Sequence, residues 1–249
     1  IYDAVKETDG FKKVNEKCRE GIKQGLVEIA TRKLDKLDTM GEEKWSFMAN
    51  VATLLYEIGK LAAAEKLCRS ALEKCKGTLE QTQTYMLTFE VQLVPVLQAQ
   101  DKLKEAEPFA RRALDEAEKC YRPMHPTTLI CMNNLASVLQ AQGKLEEAEP
   151  LFRRALEGTE KKYDPEHPDT LDSVNNLAGL LQAQGKLKEA EPLFRRVLKG
   201  TEKKNGEDHP DTLDSVNNLA GLLKEQDKLE EAEPLFRRAL EGREKNLGS

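Results

Sequence analysis

Aromatic residues are scarce in this chain: they make up 5% of its 249 residues, with one Trp. Charged residues make up 33%, and the combination fits helices with wet outer faces. No run of eighteen apolar residues occurs, so a hydrophobic membrane-spanning helix is excluded. There is no N-x-S/T acceptor site. The five cysteines, at 18, 68, 75, 120 and 131, are odd in number and contain no C-x-x-C pair. Scattered thiols of this kind suggest an intracellular, reducing compartment, cytoplasmic by default, and no zinc site. The chain opens on Ile1 rather than Met, which leaves an organellar location open. The formal net charge of −5 argues against nucleic acid as the main partner. No G-x-x-x-x-G-K-[ST] phosphate loop is present. No acid–base, nucleophile or metal constellation is found, and the reading is of a non-enzyme without cofactors.

What is present is a beat. His125–Pro126, His167–Pro168 and His209–Pro210 are spaced 42 residues apart. Leu135, Leu177 and Leu219 share that spacing and extend back to Leu93 and Val51. Gly143–Lys144–Leu145 recurs as Gly185–Lys186–Leu187 and Gly59–Lys60–Leu61, and relaxes to Asp101–Lys102–Leu103 and Asp227–Lys228–Leu229. Five units follow: 41–82, 83–124, 125–166, 167–208 and 209–249. A fixed period of this size signals a repeat array.

Each unit carries two apolar stripes at helical spacing. In the fourth they are Leu171, Val174, Leu177, Ala178 and Leu181, then Leu187, Ala190, Leu193, Phe194, Val197 and Leu198. Gln184–Gly185–Lys186 breaks them, with a permissive glycine. The spacing predicts two antiparallel amphipathic helices, A and B, joined by a tight turn. Pro168 suits the first helical position, where a missing N–H costs nothing, and Asp169 suits the first turn, where the helix dipole favours an anion. Neither helix buries its face alone, so stacked neighbours make one core. Pro108, Pro150, Pro192 and Pro234 lie just inside helix B, which predicts starts near 146 and 188. Pro95 interrupts helix A of the second unit, and a bend or break is expected around Val91–Pro95.

The histidines repeat at one place per unit, so stacking spaces them on the order of 20 Å apart, too far for a shared metal. They read as punctuation at helix starts. The Arg-Arg pairs at 111–112, 153–154, 195–196 and 237–238 could form a basic ladder. The plainer reading is a solvated face, with Glu107, Glu149, Glu191 and Glu233 four residues ahead of the first arginine in the favourable order.

Asn175–Asn176–Leu177–Ala178 in helix A, Glu189–Ala190–Glu191–Pro192–Leu193–Phe194–Arg195–Arg196 in helix B and the His167–Pro168–Asp169–Thr170 linker carry a resemblance. The pattern resembles the tetratricopeptide repeat, in the 42-residue version of the kinesin light chain type. The resemblance implies an all-α right-handed superhelical solenoid of antiparallel helix pairs. It also implies that helix A lines a concave groove. Matching groove positions are Asp172, Asn175, Asn176, Gly179 and Gln182; Ile130, Asn133, Asn134, Ser137 and Gln140; and Asp214, Asn217, Asn218, Gly221 and Lys224. Toward the N-terminus they are Ser46, Ala49, Asn50, Thr53 and Tyr56, then Thr88, Val91, Gln92 and Gln98.

A side-chain amide offers two donors and an acceptor, so a row of asparagines can pair with the backbone of an extended peptide. Alternatively, one Asn of each pair bonds locally and ties neighbouring helices together. The groove is poor in basic residues, Lys224 being the clearest, which weakens any expectation of acidic-motif recognition. Units one and two are the most diverged, and partner-specific contacts are expected there. Residues 1–40 lack the motif. They are expected to be a helical cap, with 11–38 helical and the later part a degenerate helix B. Residues 244–248 read like the run that leads into another repeat, so a further repeat or a partner is expected beyond them. The functional expectation is a scaffold or adaptor that binds peptide segments of other proteins. The alternative is a structural subunit fixed in a larger assembly through its ends or convex face.

Overall fold

The computed structural model describes residues 42–75 and 83–248. The expected helical cap over residues 11–38 lies outside them. The described residues form ten helices and no strand: α1 (Glu42–Glu57), α2 (Leu61–Cys75), α3 (Gln83–Ala99), α4 (Leu103–Cys120), α5 (Pro126–Ala141), α6 (Leu145–Lys162), α7 (Pro168–Ala183), α8 (Leu187–Asn205), α9 (Pro210–Glu225) and α10 (Leu229–Gly248). Odd-numbered helices are the A helices and even-numbered ones the B helices. The chain groups into two compact units, one up to Arg122 and one from Pro123. Among the described residues the fold is all-α, a succession of A and B helices in which each packs on the next within its unit.

The helix starts are set by the linker. His125, His167 and His209 are N-caps in extended conformation with proline behind each. Their Nδ1 atoms accept from the backbone N–H of Thr127 (3.3 Å), Asp169 (3.2 Å) and Asp211 (3.2 Å). The imidazole thus satisfies one of the donors every helix start leaves open. Helices α6 and α8 start at Leu145 and Leu187, one residue before the expected positions, and they accommodate Pro150 and Pro192 within.

The A-to-B turns share one hydrogen-bond pattern. Gly143 N–H donates to Gln140 O (2.9 Å), and Lys144 N–H donates to Leu139 O (2.9 Å). These are the two bonds of a Schellman stop, which needs a left-handed residue. Gly59, Gly143 and Gly185 hold φ between 73° and 76°; Asp101 and Asp227 hold the same region at 59° and 62°.

Helix α3 runs unbroken from Gln83 to Ala99 with Pro95 inside it, so of the expected bend or break the break is absent. Proline removes one N–H from the ladder, while its neighbours Val94, Val96 and Leu97 are almost fully buried. Burial of that stretch outweighs one lost rung.

In the first unit, Val51, Leu55, Ala64 and Val96 form a core cluster flanked by Phe47, Leu54 and Leu61. Trp45 stacks near Tyr85 (centroids 6.2 Å apart) and meets Phe89 edge-on (6.1 Å). In the second unit, α7 buries eight residues and α8 only five. Helix A is therefore the inner layer, packed on more than one side, and helix B carries a narrower stripe centred on Ala190, Phe194 and Val197.

Candidate binding groove

Polar helix A positions divide into those engaged between neighbouring repeats and those with bonding capacity left. In the first unit, Gln92 Nε2 donates to Ala49 O (3.1 Å) and to Thr53 Oγ1 (3.0 Å). Gln92 therefore ties α3 to α1, and its Oε1 is buried with no hydrogen-bond partner among the described residues. Asn50 is exposed on α1, and Tyr56 is 39% exposed at its end.

In the second unit the same offset of 43 residues recurs. Asn218 Nδ2 donates to Asn175 Oδ1 (3.3 Å), and Gln182 Nε2 donates to Glu225 Oε1 (2.6 Å). Asn133 is half-buried and its Oδ1 finds no partner among the described residues. Asn134, Gln140, Asn176 and Asn217 are half-buried, and Lys224 is exposed.

One cleft gathers several of these side chains. It is lined by α7 (Pro168, Leu171, Asp172, Asn175), the end of α8 (Val197, Thr201, Lys204, Asn205) and α9 (Asp211, Asp214, Ser215, Asn218), and holds about 320 Å³. Of the groove positions expected from sequence it brings together Asp172, Asn175, Asp214 and Asn218. Asn133, Asn134, Gln140, Asn176, Gln182, Asn217 and Lys224 are not part of its lining, nor are Asn50, Tyr56 and Gln92 of the first unit.

The cleft is acidic. Asp172 keeps an exposed edge, but crowding desolvates its carboxyl and raises its pKa; Asp169 and Asp211 raise it further, and Lys204 pulls the other way. Arg243 Nη2 donates to Asp214 Oδ1 at 2.8 Å, Asn205 Nδ2 lies 3.4 Å from Asp211 Oδ2, and His209 Nδ1 lies 3.5 Å from the same oxygen. Among the described residues no group of three His, Cys, Asp or Glu is placed to hold a metal ion. Lys204, Asn205 and Asp211 escaped the sequence reading because the linker and the end of helix B were taken as connection. A signal existed: Asp169 with Asp172, and Asp211 with Asp214, are spaced three apart and share a helix face.

Along the turn edge the arginines are paired. Glu149 accepts from Arg153 (2.8 Å), from Lys186 of the next repeat (2.8 Å) and from Gln184 Nε2 (2.9 Å). Glu191 repeats this with Arg195 (2.9 Å) and Lys228 (2.6 Å). In the first unit Glu65 does so with Arg69 (2.8 Å) and Lys102 (2.7 Å). The expected spacing of four is present, and a link to the following repeat is added to it. The second arginine of the pair reaches backward: Arg196 meets Glu160 at 2.6 Å and Arg238 meets Glu202 at 2.5 Å. The Arg-Arg face is thus an internal network.

A family model described as tetratricopeptide repeat matches residues 85–161, 132–203 and 169–245, and a second of the same description matches 46–82. No curated protein sequence matches. A solved structure of kinesin light chain nearly identical TPR-like repeats from Podosopora anserina superposes with a TM-score of 0.69 at 25% identity, over 85% of this chain and 100% of that one. BtubC (BKLC) from P. vanneervenii gives 0.75 at 20% identity, over 91% and 93%. A Rap protein complexed with Competence and Sporulation Factor gives 0.73 at 16% identity, over 97% of this chain and 61% of that one.

Proposed function

The chain belongs to the tetratricopeptide repeat family, with repeats of the kinesin light chain type, and from that premise we propose that it is a non-catalytic scaffold whose A-helix face captures peptide segments of partner proteins. The observation that carries this reading is the Asn218–Asn175 pair. Asn218 donates to Asn175 Oδ1, so each amide is oriented by the other. Among the described residues the Asn175 NH₂ and the Asn218 carbonyl oxygen make no other hydrogen bond. A fixed donor beside a fixed acceptor at the edge of a cleft matches the alternating N–H and C=O of an extended peptide. The two readings of the asparagines therefore combine: half of the pair's capacity joins repeats and half is left for a ligand.

The partner is a protein. The formal net charge of −5 and the acidic cleft oppose nucleic acid. No helix among the described residues is long and apolar enough to cross a membrane. Cys68, Cys75, Cys120 and Cys131 are not joined in disulfides among the described residues, which fits a reducing compartment.

A second reading is a structural subunit fixed in a larger assembly through its ends or convex face.

The readings separate by affinity capture from the native source with wild-type chain, Asn175→Ala, Asn218→Ala and Leu240→Glu, each first shown to be folded by its thermal melt. Groove capture predicts that the asparagine variants lose partners and Leu240→Glu keeps them. An unchanged partner set in both asparagine variants sinks groove capture.

A further inference from the structure

The fourth and fifth repeats are nearly identical in sequence, and one difference between them bears on the cleft. Asp214 of α9 is paired with Arg243 of α10 at 2.8 Å. Its counterpart one repeat earlier is Asp172 of α7, and the counterpart of Arg243 is Thr201 of α8. Thr201 is too short to reach across, and its hydroxyl donates to Leu198 O (3.0 Å). Asp172 consequently has no hydrogen bond or ion pair among the described residues, and the space that an arginine would fill is part of the 320 Å³ cleft. The fifth repeat supplies its own cation where the fourth leaves a vacancy of the same chemistry.

Each element around Asp172 contributes to the balance. Helix α7 brings Asp169 and Asp172, α9 brings Asp211 and Asp214, α8 brings Lys204 and Asn205, and α10 brings Arg243, already committed to Asp214. Lys204 is the only cation in the cleft lining, and it lies beyond ion-pair distance of Asp172 in this structure. The carboxylates outnumber it, so the local field favours a positive guest. Leu171, Val197 and Pro168 line the same cleft and offer apolar surface for a long aliphatic stem below a charged head. The three carboxylates of the lining, Asp172, Asp211 and Asp214, do not converge on a metal, and a planar guanidinium is the group their spread suits.

We infer that the cleft between α7 and α9 receives the side chain of an arginine carried by the bound peptide, with Asp172 as its carboxylate partner and Asn175 and Asn218 holding the adjacent backbone. This rests on the peptide-capture reading and adds the chemistry of the guest. The partner segment is basic at one position per cleft, opposite to the acidic segments that a basic groove would take.

The test uses the full chain and two short Gly–Ser peptides that differ at one central residue, arginine or citrulline. Citrulline keeps the shape and removes the charge. Binding is followed by amide chemical shifts of Asp172, Asn175 and Asn218. The arginine peptide should bind roughly tenfold more tightly, as when a charge-assisted hydrogen bond is replaced by a neutral one. Asp172→Asn should erase the preference, and Thr201→Arg should block the cleft from within, as Arg243 does for Asp214. Asp172 is exposed, so the asparagine variant keeps the test decisive even if Thr201→Arg fails to fold. Equal binding of both peptides overturns the arginine assignment and leaves peptide capture standing. Arginine preference that persists in Asp172→Asn, or no binding of either peptide, also overturns the assignment. Peptide capture itself is judged separately, by the Asn175 and Asn218 variants.

Discussion

Leu171 of α7 lies so close to Gly200 of α8 that a Cβ added to the glycine would sit 2.7 Å from both leucine methyls. The arrangement repeats: a Cβ added to Gly158 would meet the Leu129 methyls, and one added to Gly242 would sit 2.6 Å from the nearest Leu213 methyl. Alanine is the better helix former by about 0.5–1 kcal/mol, but overpacking costs about 1–3 kcal/mol, and the second term wins here because both methyls are hit at once. Gly200→Ala should lower stability by about 1–2 kcal/mol in urea melts. Gly179→Ala, where nothing lies within 4 Å, should raise it by about 0.5–1 kcal/mol. A stabilised Gly200→Ala would show that the leucine moves freely and that the helices are not held at this distance.

The turn residues make a second, opposite test. Asp101 and Asp227 hold left-handed backbone at φ 59° and 62°, where Gly59, Gly143 and Gly185 stand in the other repeats. A non-glycine residue there costs about 1 kcal/mol, somewhat less for Asp. Asp227→Gly should stabilise by up to about 0.5 kcal/mol, and Gly185→Ala should destabilise by about 1 kcal/mol. Equal melting of Gly185→Ala and wild type would contradict the Schellman assignment of the turn.

These turns, like the helix pairs, were legible because each rests on a local signal: Gly-Lys-Leu at the stop, His-Pro at the start, apolar spacing between. What depended on contacts across repeats was not. The histidines were readable as boundaries, but a capping role needs the direction of Nδ1, which spacing does not give. Arg153 was seen with Glu149 four residues away, whereas Lys186 on the same carboxylate lies 37 residues on, a pairing set by how repeats stack. At Pro95 local propensity allowed a break, and the burial around it, which spacing does not give, keeps the helix continuous. The Asp172 cleft was half visible: its amides belong to the repeat pattern, but the missing cation shows only when Thr201 is compared with Arg243 in space.

Glu90 is the clearest position that the sequence hid. It occupies the place taken by Met48, Met132, Val174 and Val216 in the other repeats, is 2% exposed, and accepts a 2.5 Å bond from Arg112. Burial raises its pKa against the lowering by Arg112, with Glu116 adding to the rise. A carboxyl raised on folding costs stability where it is ionised, so its penalty is greatest at neutral pH and fades as pH falls toward the ordinary carboxylate range. Arg112 is half exposed and stays solvated without it. Glu90→Met should therefore stabilise the chain by about 1–3 kcal/mol at pH 7, with a smaller gain near pH 4.5. A gain that is equal at both pH values would mean that packing, not charge burial, is the cause.

Glu149 carries the reverse sign. Lys186 first, then Gln184 and Arg153, hold its pKa at about 2, and Glu65 is held at about 2 chiefly by Lys102. A carboxyl lowered on folding contributes stability above its unfolded value, from 4.5 upward, and loses it as pH falls from there toward 2. Lys186 and Arg153 are 40% and 50% exposed, so solvent and salt screen the pairing, and each link is worth about 0.2–1 kcal/mol. Glu149→Gln should flatten the fall in stability between pH 4.5 and 2, and the difference from wild type should shrink in 1 M salt, where screening acts within about 3 Å. Because the same cluster joins α6 to the turn before α8, the loss should also loosen adjacent repeats, seen as faster amide exchange at Lys186 and Leu187 than at Lys228 and Leu229 in the variant. A pH profile parallel to wild type would assign the acid sensitivity to other carboxylates and leave this cluster without a share in joining the repeats.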